Sequence, residues 1–509
     1  MAALVLLVAV SAGPQPFPRV SGRVLARPIG ARWTAAEDRL ADSATVAATA
    51  VSAALIAIAA PGALVQDSWS TLAAGRLVAS GGIPHRELLT AWAQGRNWID
   101  QQWLAQLLFY RVEALAGMSA VLALSALLSC MAWLGAVALA RRRGASGPAL
   151  LVWGPTTLLA APWAFQARTQ SFALPLFVAL VALVFADSRR RSPRVFATLP
   201  LLALWGNLHG TALLGACILS VHALLMLARD VIARADLRAG ALRAAVLAGG
   251  GFLALAVNPY GFGIVTYYRT MVINPPFASL VQEWEPSTPS TAVAAFYAVA
   301  VIGIAIVIHN RRRLTLTETT VFLLLLAAAV DAVRNITWFA LAILILAPAL
   351  SRTRWSPPTR LAAPARAGLL VGASLTLAGA VAAFPSSVAA QLTRHWSMRG
   401  PDAVLIAARE HPAARVLADD RHADFLLWAA PELQGRILAD VRFELLTRSE
   451  LHRLARFEGH PQPQDAPSAR LVVLDPRRDP LPPWRTNNWK QLYADTSIAI
   501  YERQAASAG

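Results

Sequence analysis

Lysine is almost absent from this sequence of 509 residues: Lys490 is the only one, and arginine supplies nearly all of the positive charge. Cysteine is also scarce, and both residues, Cys130 and Cys217, lie inside long apolar runs. Two cysteines in such positions exclude a disulfide framework and a cysteine-based metal cluster. Charged residues make up only 15% of the chain. Soluble domains carry roughly one quarter, so the deficit excludes an ordinary soluble protein.

Two further absences narrow the function. No glycine-rich loop precedes a helix in the setting of a nucleotide-phosphate site, so use of a nucleotide sugar is not predicted. No internal repeat is visible along the chain. The formal net charge of +17 suggests nucleic-acid binding at first. Because the arginines occur in short clusters between apolar runs, the charge instead indicates membrane topology, and no nucleic-acid partner is predicted.

What the chain has in abundance is apolar sequence: 56% of its residues are hydrophobic, and the mean hydropathy is +0.49. A membrane-spanning helix needs about 20 apolar residues, and somewhat fewer inside a bundle. The sequence therefore predicts an all-α polytopic membrane bundle of about eleven spans. Their approximate ranges are 43–64, 117–140, 146–163, 170–187, 195–206 with its flanks, 210–228, 241–257, 291–309, 315–333, 336–350 and 367–384.

The distribution of arginine predicts the orientation of the bundle. Clusters such as Arg141 to Arg143, Arg189 to Arg191 and Arg311 to Arg313 fall in alternate loops, together with the arginines before the first span. Since cytoplasmic loops carry the excess of basic residues, the N-terminus is expected inside. Three parts follow from this: a cytoplasmic segment 1–42, a transmembrane domain 43–384 and an extracytoplasmic domain 385–509.

The predicted C-terminal domain differs in composition from the bundle. It gains charge, histidine and proline, and it keeps short strand-like runs between helix-like stretches, which is typical of a small α/β domain. Proline-rich linkers are predicted around 353–364 and 461–484. Two charged groups could bind a ligand or could simply be exposed at strand ends: Asp419, Asp420 and Arg421, and Asp440, Arg442 and Glu444.

The first outer loop, about 65–116, is the longest segment between spans. Residues 69–80 favour an amphipathic helix with an interfacial stripe, which GGIP ends, and WIDQQWLAQLLFY favours a second amphipathic stretch. Trp92, Trp98, Trp103 and Tyr110 suit the headgroup region as an aromatic anchor belt, with sugar stacking as an alternative for one or two of them.

Polar residues interrupt the apolar pattern in every hairpin that is predicted to face outward. They are Asp67, Trp69, Arg168, Gln170, Asn207, His209, Asn258, Glu283, Trp284, Arg334 and Asn335. Any one of them has an ordinary interpretation, as a snorkelling arginine, a packed histidine or a turn. Ionisable groups at membrane depth are costly, however, and usually belong to pathways or sites. Their recurrence on one face predicts a shared polar cavity.

The same residues resemble a known superfamily. The motifs are D-x-W at Asp67, a loop with G-x-x-P and W-x-x-x-x-W-L, then R-x-Q, W-x-N-x-H-G, N-P-x-G, E-W and R-N. Together they resemble the C-type glycosyltransferases, bacterial multi-span membrane enzymes that use polyprenyl-phosphate-linked sugars outside the cytoplasm. The resemblance implies a bacterial inner-membrane location, with a glycan, lipid or protein as acceptor. Asp67 occupies the position of the superfamily's essential acid, but Ser68 follows it where many members have a second acid.

Transfer of a sugar from a lipid phosphate to a hydroxyl needs a base and a cation for the leaving phosphate. Asp67 or Glu283 is the expected base, with His209 as an assisting acid. Arg168 and Arg334 are expected to bind the donor phosphate, because a guanidinium presents paired donors. The cofactor stays open: Asp67, His209 and Glu283 are candidate ligands of a divalent cation. A transporter or flippase of a lipid-linked or polar solute is the alternative function.

Overall fold

The computed structural model describes residues 43–273, 277, 281–351, 363–459, 468–478 and 488–504. The predicted cytoplasmic segment 1–42 and most of the first predicted linker lie outside these residues. Of the second predicted linker, 461–484, the structure describes residues 468–478, and Leu471–Leu474 forms a strand there. The prediction of one continuous linker there is wrong, because its apolar run joins the sheet of the C-terminal domain.

The described chain is mostly helical, as the composition predicts. The helices are α1 (Ser43–Ala59), α2 (Gln66–Gly81), α3 (Trp103–Arg142), α4 (Gly147–Ala160), α5 (Gln170–Arg189), α6 (Thr198–Gly206), α7 (Ala212–Ile232), α8 (Leu237–Leu255), α9 (Ile264–Tyr268), α10 (Ala294–His309), α11 (Leu316–Asp331), α12 (Ile336–Leu350), α13 (Ala363–His395), α14 (Gly400–Glu410), α15 (Asp420–Ala429) and α16 (Arg448–Gly459).

Eight helical segments of the described chain are long and apolar enough to cross a membrane. They correspond to α1, α3, α5, α7, α8, α10, α12 and α13. The three other predicted spans coincide with shorter helices: α4 with 14 residues, α6 with 9 and α11 with 16. A multi-pass membrane bundle is therefore confirmed, with eight helices of the described residues that meet this criterion; the count of about eleven spans stays a prediction.

Helix α12 is the centre of the bundle. Every residue of α12 is buried except Ala349, whereas the other long apolar helices bury only one stripe. A helix that is apolar on all sides must be surrounded by protein or lipid, and α12 contacts α3, α4, α5, α10 and α11. Its N-terminal end, preceded by Arg334 and Asn335, is therefore fixed within the bundle.

Ion pairs hold the arginine-rich ends of several helices together. Glu318, with no exposed side-chain surface, accepts from Arg143 and Arg189 at 2.5 and 2.7 Å. Asp187 is similarly buried and pairs with Arg243 at 2.7 Å and with His222 at 3.0 Å. The predicted inner loops are thus more than plain arginine clusters, because buried acids at the ends of α5 and α11 neutralise part of their charge.

The C-terminal domain is a small α/β unit, as predicted. Its four strands are β1 (Val416–Ala418), β2 (Leu471–Leu474), β3 (Trp489–Ala494) and β4 (Ala499–Arg503), in the sheet order β1-β2-β4-β3. Strands β1 and β2 are parallel, with Leu417 opposite Val472, and the other two pairings are antiparallel. The parallel pair needs a crossover, which the chain from α15 to α16 provides.

The first outer loop packs against this domain. Ala73 and Trp98 share a hydrophobic core with residues of the sheet and of α15. Trp69 is fully buried and has its ring 5.1 Å from that of Trp396 and 5.0 Å from that of Phe425. The predicted interfacial stripe on α2 and the anchor role of Trp98 are therefore wrong, because the domain covers these side chains.

Two glycines shape this loop. Gly117 has φ +74° inside α3, a left-handed conformation that favours glycine, and it separates the amphipathic first part of α3 from the spanning part. Gly75 lies where α2 crosses α3, and a Cβ atom there would come within 2.2 Å of the Gln106 carbonyl oxygen. Close contact between these two helices fixes α2, and with it the position of Asp67.

Candidate active site

One arginine joins the two acids that the sequence predicts as candidate bases. The Arg168 side chain donates from Nη1 to Asp67 at 2.9 Å and from Nη2 to Glu283 at 2.6 Å. Arg168 lies between α4 and α5, Asp67 lies in the first turn of α2, and Glu283 precedes α10. Three segments that are far apart in sequence therefore meet at one guanidinium, as the predicted outer cavity requires.

Backbone contacts hold the segment of Arg168 against the start of α2. The Ser68 hydroxyl donates to the Ala167 carbonyl oxygen at 2.6 Å and accepts from Val65 N–H at 3.1 Å. Ala167 N–H donates to the Ala63 carbonyl oxygen at 2.9 Å. Ser68 thus has a positioning role in this chain, which a carboxylate could not perform because it cannot donate to a carbonyl.

The second arginine, Arg334, lies beside this cluster without an ionic partner of its own. Its guanidinium is 4.3 Å from the ring centroid of Trp284, the residue after Glu283. In the described part of the chain, no hydrogen bond or ion pair to the Arg334 side chain is found. Since Arg334 also immediately precedes the buried helix α12, both its charge and the helix N-terminus favour an anion here.

His209 is a neutral member of the cluster. Thr211 N–H donates to its Nδ1 at 3.2 Å, which leaves the proton of the neutral ring on Nε2. Burial, together with the nearby charges of Arg334 and Arg168, lowers the pKa of His209 to about 3. His209 is thus unprotonated at neutral pH, and the expectation that it assists as an acid is disfavoured; a neutral hydrogen-bond donor fits its surroundings better.

The two acids differ in their electrostatic surroundings. Burial raises the pKa of Asp67, and Arg168 offsets this only in part. Burial also raises the pKa of Glu283, but Arg168 and Arg334 outweigh it, and the net effect is a lowered pKa. The Asp67 side chain is 37% exposed, and protein encloses the remaining surface, as is typical of a residue in a cleft. Asp67 is the better proton acceptor, because its carboxylate is the more basic of the two.

Several predicted site residues lie outside this cluster and support the surrounding structure. Asn207 accepts from Trp103 Nε1 at 2.9 Å and donates to the Val257 carbonyl oxygen at 2.7 Å. Asn258 accepts from Tyr260 N–H in a turn, and Asn335 donates to the Ala328 carbonyl oxygen at 3.0 Å. These three amides connect loops and helix ends instead of facing the acids.

Two other predicted site residues also have no contact with the acids. Trp69 packs into the aromatic cluster under the C-terminal domain, so its prediction as a site residue is not supported. Gln170, the first residue of α5, lies two residues after Arg168 and makes no described side-chain contact with the cluster. Its neighbour Thr169 instead donates to Gln102 at 2.6 Å and connects the start of α5 to the first outer loop.

Sequence reasoning missed Tyr267 and Gln101. The Tyr267 hydroxyl accepts from Gln101 Nε2 at 3.1 Å and lies against Gly210, where an added Cβ atom would come within 2.8 Å. It thereby joins the first outer loop to the residue after His209. The only signal was a pair of tyrosines shortly after the NPYG turn, which is indistinguishable from an interfacial aromatic pair in the sequence.

The candidate metal ligands are not assembled as a metal site. Within the described ranges, no group of three or more histidine, cysteine, aspartate or glutamate residues could hold a metal ion. Asp67 and Glu283 are both engaged by Arg168, whose positive charge opposes a cation at the same oxygens. His209 also turns its Nδ1 toward Thr211. The donor set of Asp67, His209 and Glu283 therefore does not fit a divalent cation in this arrangement.

Comparison with known proteins identifies the fold. The chain is similar to the oligosaccharyltransferase of Archaeoglobus fulgidus solved with a tethered acceptor peptide: identity is 12%, coverage is 90% of this chain and 74% of that one, and the TM-score is 0.51. ArnT from Cupriavidus metallidurans bound to undecaprenyl phosphate has 15% identity, 91% and 98% coverage and a TM-score of 0.45. No family model and no curated protein sequence matches the chain. The chain therefore shares the fold of the Archaeoglobus fulgidus oligosaccharyltransferase.

Proposed function

We propose that this protein is a membrane glycosyltransferase that moves a sugar from a polyprenyl-phosphate donor to a cell-envelope acceptor. The fold it shares with an oligosaccharyltransferase supports this class of reaction. In the proposed orientation the site faces outward from the bacterial inner membrane, and the acceptor is a glycan, a lipid or a protein. The proposal includes eleven membrane-crossing segments within 43–384, with the N-terminus in the cytoplasm and residues 385–509 outside.

One observation carries the proposal: two carboxylates share Arg168, and beside them lies a second arginine that has no ionic partner among the residues that the structure describes. Glycosyl transfer from a lipid phosphate needs both a base for the acceptor and a cation for the leaving group. A purely structural cluster would be expected to pair its cations with its acids. Arg334 instead stacks on Trp284 and keeps its donors available for an incoming anion.

The proposed reaction uses Asp67 as the general base. The acceptor hydroxyl attacks the anomeric carbon, the bond from that carbon to the phosphate oxygen breaks, and the hydroxyl proton passes to Asp67. The leaving polyprenyl phosphate takes the bonding electron pair. Arg168, itself held by Glu283, fixes the Asp67 carboxylate in place before the substrate arrives.

Donor phosphate binding is proposed for Arg334 in the first place. Its guanidinium can donate two parallel hydrogen bonds to phosphate oxygens, and the N-terminus of α12 adds positive partial charge. The Nε2–H of His209 is a neutral donor that can contribute to the same anion. Arg168 is already bound to two acids, so it contributes to phosphate binding mainly through its long-range charge.

The transporter alternative is less well supported. A transporter is expected to carry its charged residues near the midplane of discontinuous helices in two related halves. Here the candidate residues lie in hairpins between helices, and the sequence has no visible internal symmetry. The shared fold with an oligosaccharyltransferase also favours the enzyme.

The decisive experiment is single-turnover sugar transfer by purified protein from a radiolabelled polyprenyl-phosphate sugar. Asp67→Asn keeps the shape of the side chain and removes its basicity, so transfer is expected to slow by about 10²- to 10⁴-fold. Glu283→Gln is expected to be less severe. Asp331→Asn is the matched control, because Asp331 is an exposed acid at the end of α11.

Donor binding is measured in the same preparation. Arg334→Gln is expected to weaken donor binding, whereas Asp67→Asn should bind the donor about as well as the wild type. A transfer rate for Asp67→Asn within about threefold of the wild type would mean that Asp67 is not the base. An absence of transfer by the wild type with every polyprenyl-phosphate sugar tested would count against the proposed function itself.

A further inference from the structure

A charged cavity lies beside the start of α2. Its volume is about 220 Å³, and it is bounded by the end of α1, the start of α2, the spanning part of α3, the end of α13 and the C-terminal domain. We name it the cationic slot and define it by Leu64, Leu122, Leu392, Trp396, Arg421 and Arg478. None of the proposed catalytic residues lines it.

The slot is amphiphilic along its depth. Leu122 and Leu392 belong to helices that are apolar enough to cross the membrane, and Leu64 follows the first of these helices in the chain. Arg421 and Arg478 come from the C-terminal domain and line the same cavity. Among the described residues that line the slot, the charged side chains are both arginines, and no acid is present. Such a cavity fits a ligand with an apolar chain and an anionic head.

Arg421 is held in place for an anion. Its guanidinium lies 4.6 Å from the ring centroid of Trp396 and donates to the His395 carbonyl oxygen. Its ion pair with Asp475 is long, at 3.7 Å, and its buried Nε has no hydrogen-bond partner within the described chain. A buried guanidinium N–H without a partner is costly, and an anionic oxygen in the slot would satisfy it.

Other charged groups surround the slot. Arg478 pairs with Asp420 at 2.8 Å and with Glu458 at 3.4 Å, while 53% of its side-chain surface stays exposed. Arg477 donates to the Arg394 carbonyl oxygen at 2.6 Å near the rim. Val65, which also lines the slot, is the N-cap residue of α2 and offers no side-chain acceptor to its first turn.

We propose that the cationic slot binds the phosphate of an outer-leaflet lipid that is separate from the sugar donor. The volume is below the roughly 300–1,000 Å³ of pockets that enclose a drug-sized ligand, so the slot fits a phosphate head and the first part of its chain. Gln66 lines the slot, and the next residue is Asp67. A bound lipid therefore contacts the start of α2 next to Asp67 and stabilises it there. The proposal concerns binding and does not depend on sugar transfer.

The test is lipid binding by delipidated protein, measured by native mass spectrometry with phosphatidic acid as the probe. One tightly held lipid is expected in the wild type. Arg421→Gln with Arg478→Gln should weaken its binding about tenfold or more, because charge-assisted hydrogen bonds are lost. Arg478→Gln alone should give a smaller loss. It leaves the packing of Arg421 on Trp396 intact, so it tests the slot even if Arg421→Gln disturbs that packing. Arg409→Gln with Arg448→Gln removes two exposed arginines of the same domain and is the matched control.

Three further arms identify the ligand. Phosphatidylcholine should bind more weakly than phosphatidic acid, because its choline cation faces the arginines. Phosphatidic acid should bind Arg334→Gln as tightly as the wild type, because Arg334 belongs to the separate donor site. Inorganic phosphate at equal concentration should not displace the lipid. Equal binding by the slot variant and the control variant, or displacement by free phosphate, would overturn the proposal.

Discussion

At the scale of single residues, the candidate site contains two arginines that the sequence alone does not distinguish. Arg168 bridges Asp67 and Glu283, whereas Arg334 stacks on Trp284 and has no acid bound to it in the described chain. Both are isolated cations in outward hairpins, and nothing in their sequence context distinguishes them. The difference arises from three-dimensional neighbours, and it is the basis of our proposal that Arg168 positions the base and Arg334 binds the anion.

Removal of Arg168 is predicted to shift the pH dependence of transfer. The positive charge of Arg168 lowers the pKa of Asp67 against the effect of burial. Arg168→Gln therefore raises the pKa of Asp67 further, and because the base must be ionised, the acid limb of the pH–rate profile moves to higher pH. Activity should fall more at low pH than at high pH, as measured by single-turnover transfer across about pH 5 to 9.

Arg111→Gln, which removes an exposed arginine of α3, is the control for this prediction and should leave the profile unchanged. Arg168→Lys keeps the positive charge but lacks the paired donors that bind two carboxylates. The acid limb should therefore stay near its wild-type pH, while the maximal rate should still be reduced. A uniform loss of rate at every pH in Arg168→Gln would instead indicate that Arg168 acts only on donor binding.

At the scale of elements, the site depends on how α2 is joined to the segment before α5. The Ser68 hydroxyl contacts the Ala167 carbonyl oxygen, one residue before Arg168, and the Ala63 carbonyl oxygen accepts from Ala167 N–H. The sequence predicts that these segments lie on one face, because alternate hairpins return to the same side of a bundle. It does not predict the contact, since a serine after Asp67 reads only as a missing acid.

Substitution of Ser68 is predicted to damage the site without adding a second base. Ser68→Asp cannot donate to the Ala167 carbonyl oxygen and places a carboxylate beside it, so transfer should fall. Ser68→Ala leaves a buried carbonyl oxygen unsatisfied, which should cost about 1–3 kcal/mol in stability. Unfolding in mild detergent and single-turnover transfer measure the two effects.

Ser70→Ala serves as the comparison in this experiment, because Ser70 is also buried in α2 but has no described side-chain contact with the Arg168 segment. It should be close to the wild type in transfer. An active Ser68→Asp protein, with transfer equal to or faster than the wild type, would show that the pair of acids can operate here and that the serine is not a required tether.

At the scale of the whole molecule, charged groups separate to two ends of the bundle. Glu318, Asp187 and their arginines join the ends of α3, α5, α8 and α11, whereas the Asp67 cluster joins the opposite ends of α5 and α11. The sequence predicts this separation, because arginine is concentrated in the loops on one side of a membrane bundle. The proposed orientation places the end with Glu318 and Asp187 at the cytoplasmic side.

Reporter fusions are predicted to resolve the orientation. Fusions after residues 143, 194 and 313 follow arginine clusters and should report cytoplasm, whereas fusions after 210, 261 and 400 should report the outside. The expected pattern changes side at each proposed span, including the short helices α4, α6 and α11. A cytoplasmic signal after residue 400 would reduce the number of crossings to an even one and would place the C-terminal domain on the wrong side for the proposed function.

The packing of the C-terminal domain on the first outer loop was beyond sequence reasoning. From the sequence, Trp98 is interpreted as an interfacial anchor, and Asp440 and Arg442 as exposed charges or ligand contacts. Hydrophobic periodicity predicts the apolar face of a single element, and it does not predict which distant segment packs against that face. In the structure Arg442 lies 4.4 Å from the ring of Trp98 and binds Glu87 of the loop as well as Asp440. Contacts between such distant segments leave no local pattern.

The ion pair between loop and domain gives the last prediction. Arg442, Glu87 and Asp440 are at most 6% exposed, so Arg442→Met leaves two buried carboxylates without their cation. The expected loss is about 3–5 kcal/mol in the free energy of unfolding. Adding Glu87→Gln and Asp440→Asn removes the unpaired charges and should recover much of that loss, whereas Arg448→Met at the domain surface should change little. Denaturant unfolding in mild detergent measures all three proteins. If Arg442→Met is as stable as Arg448→Met, the domain is held by apolar contacts alone, and the position of α2 does not depend on this ion pair.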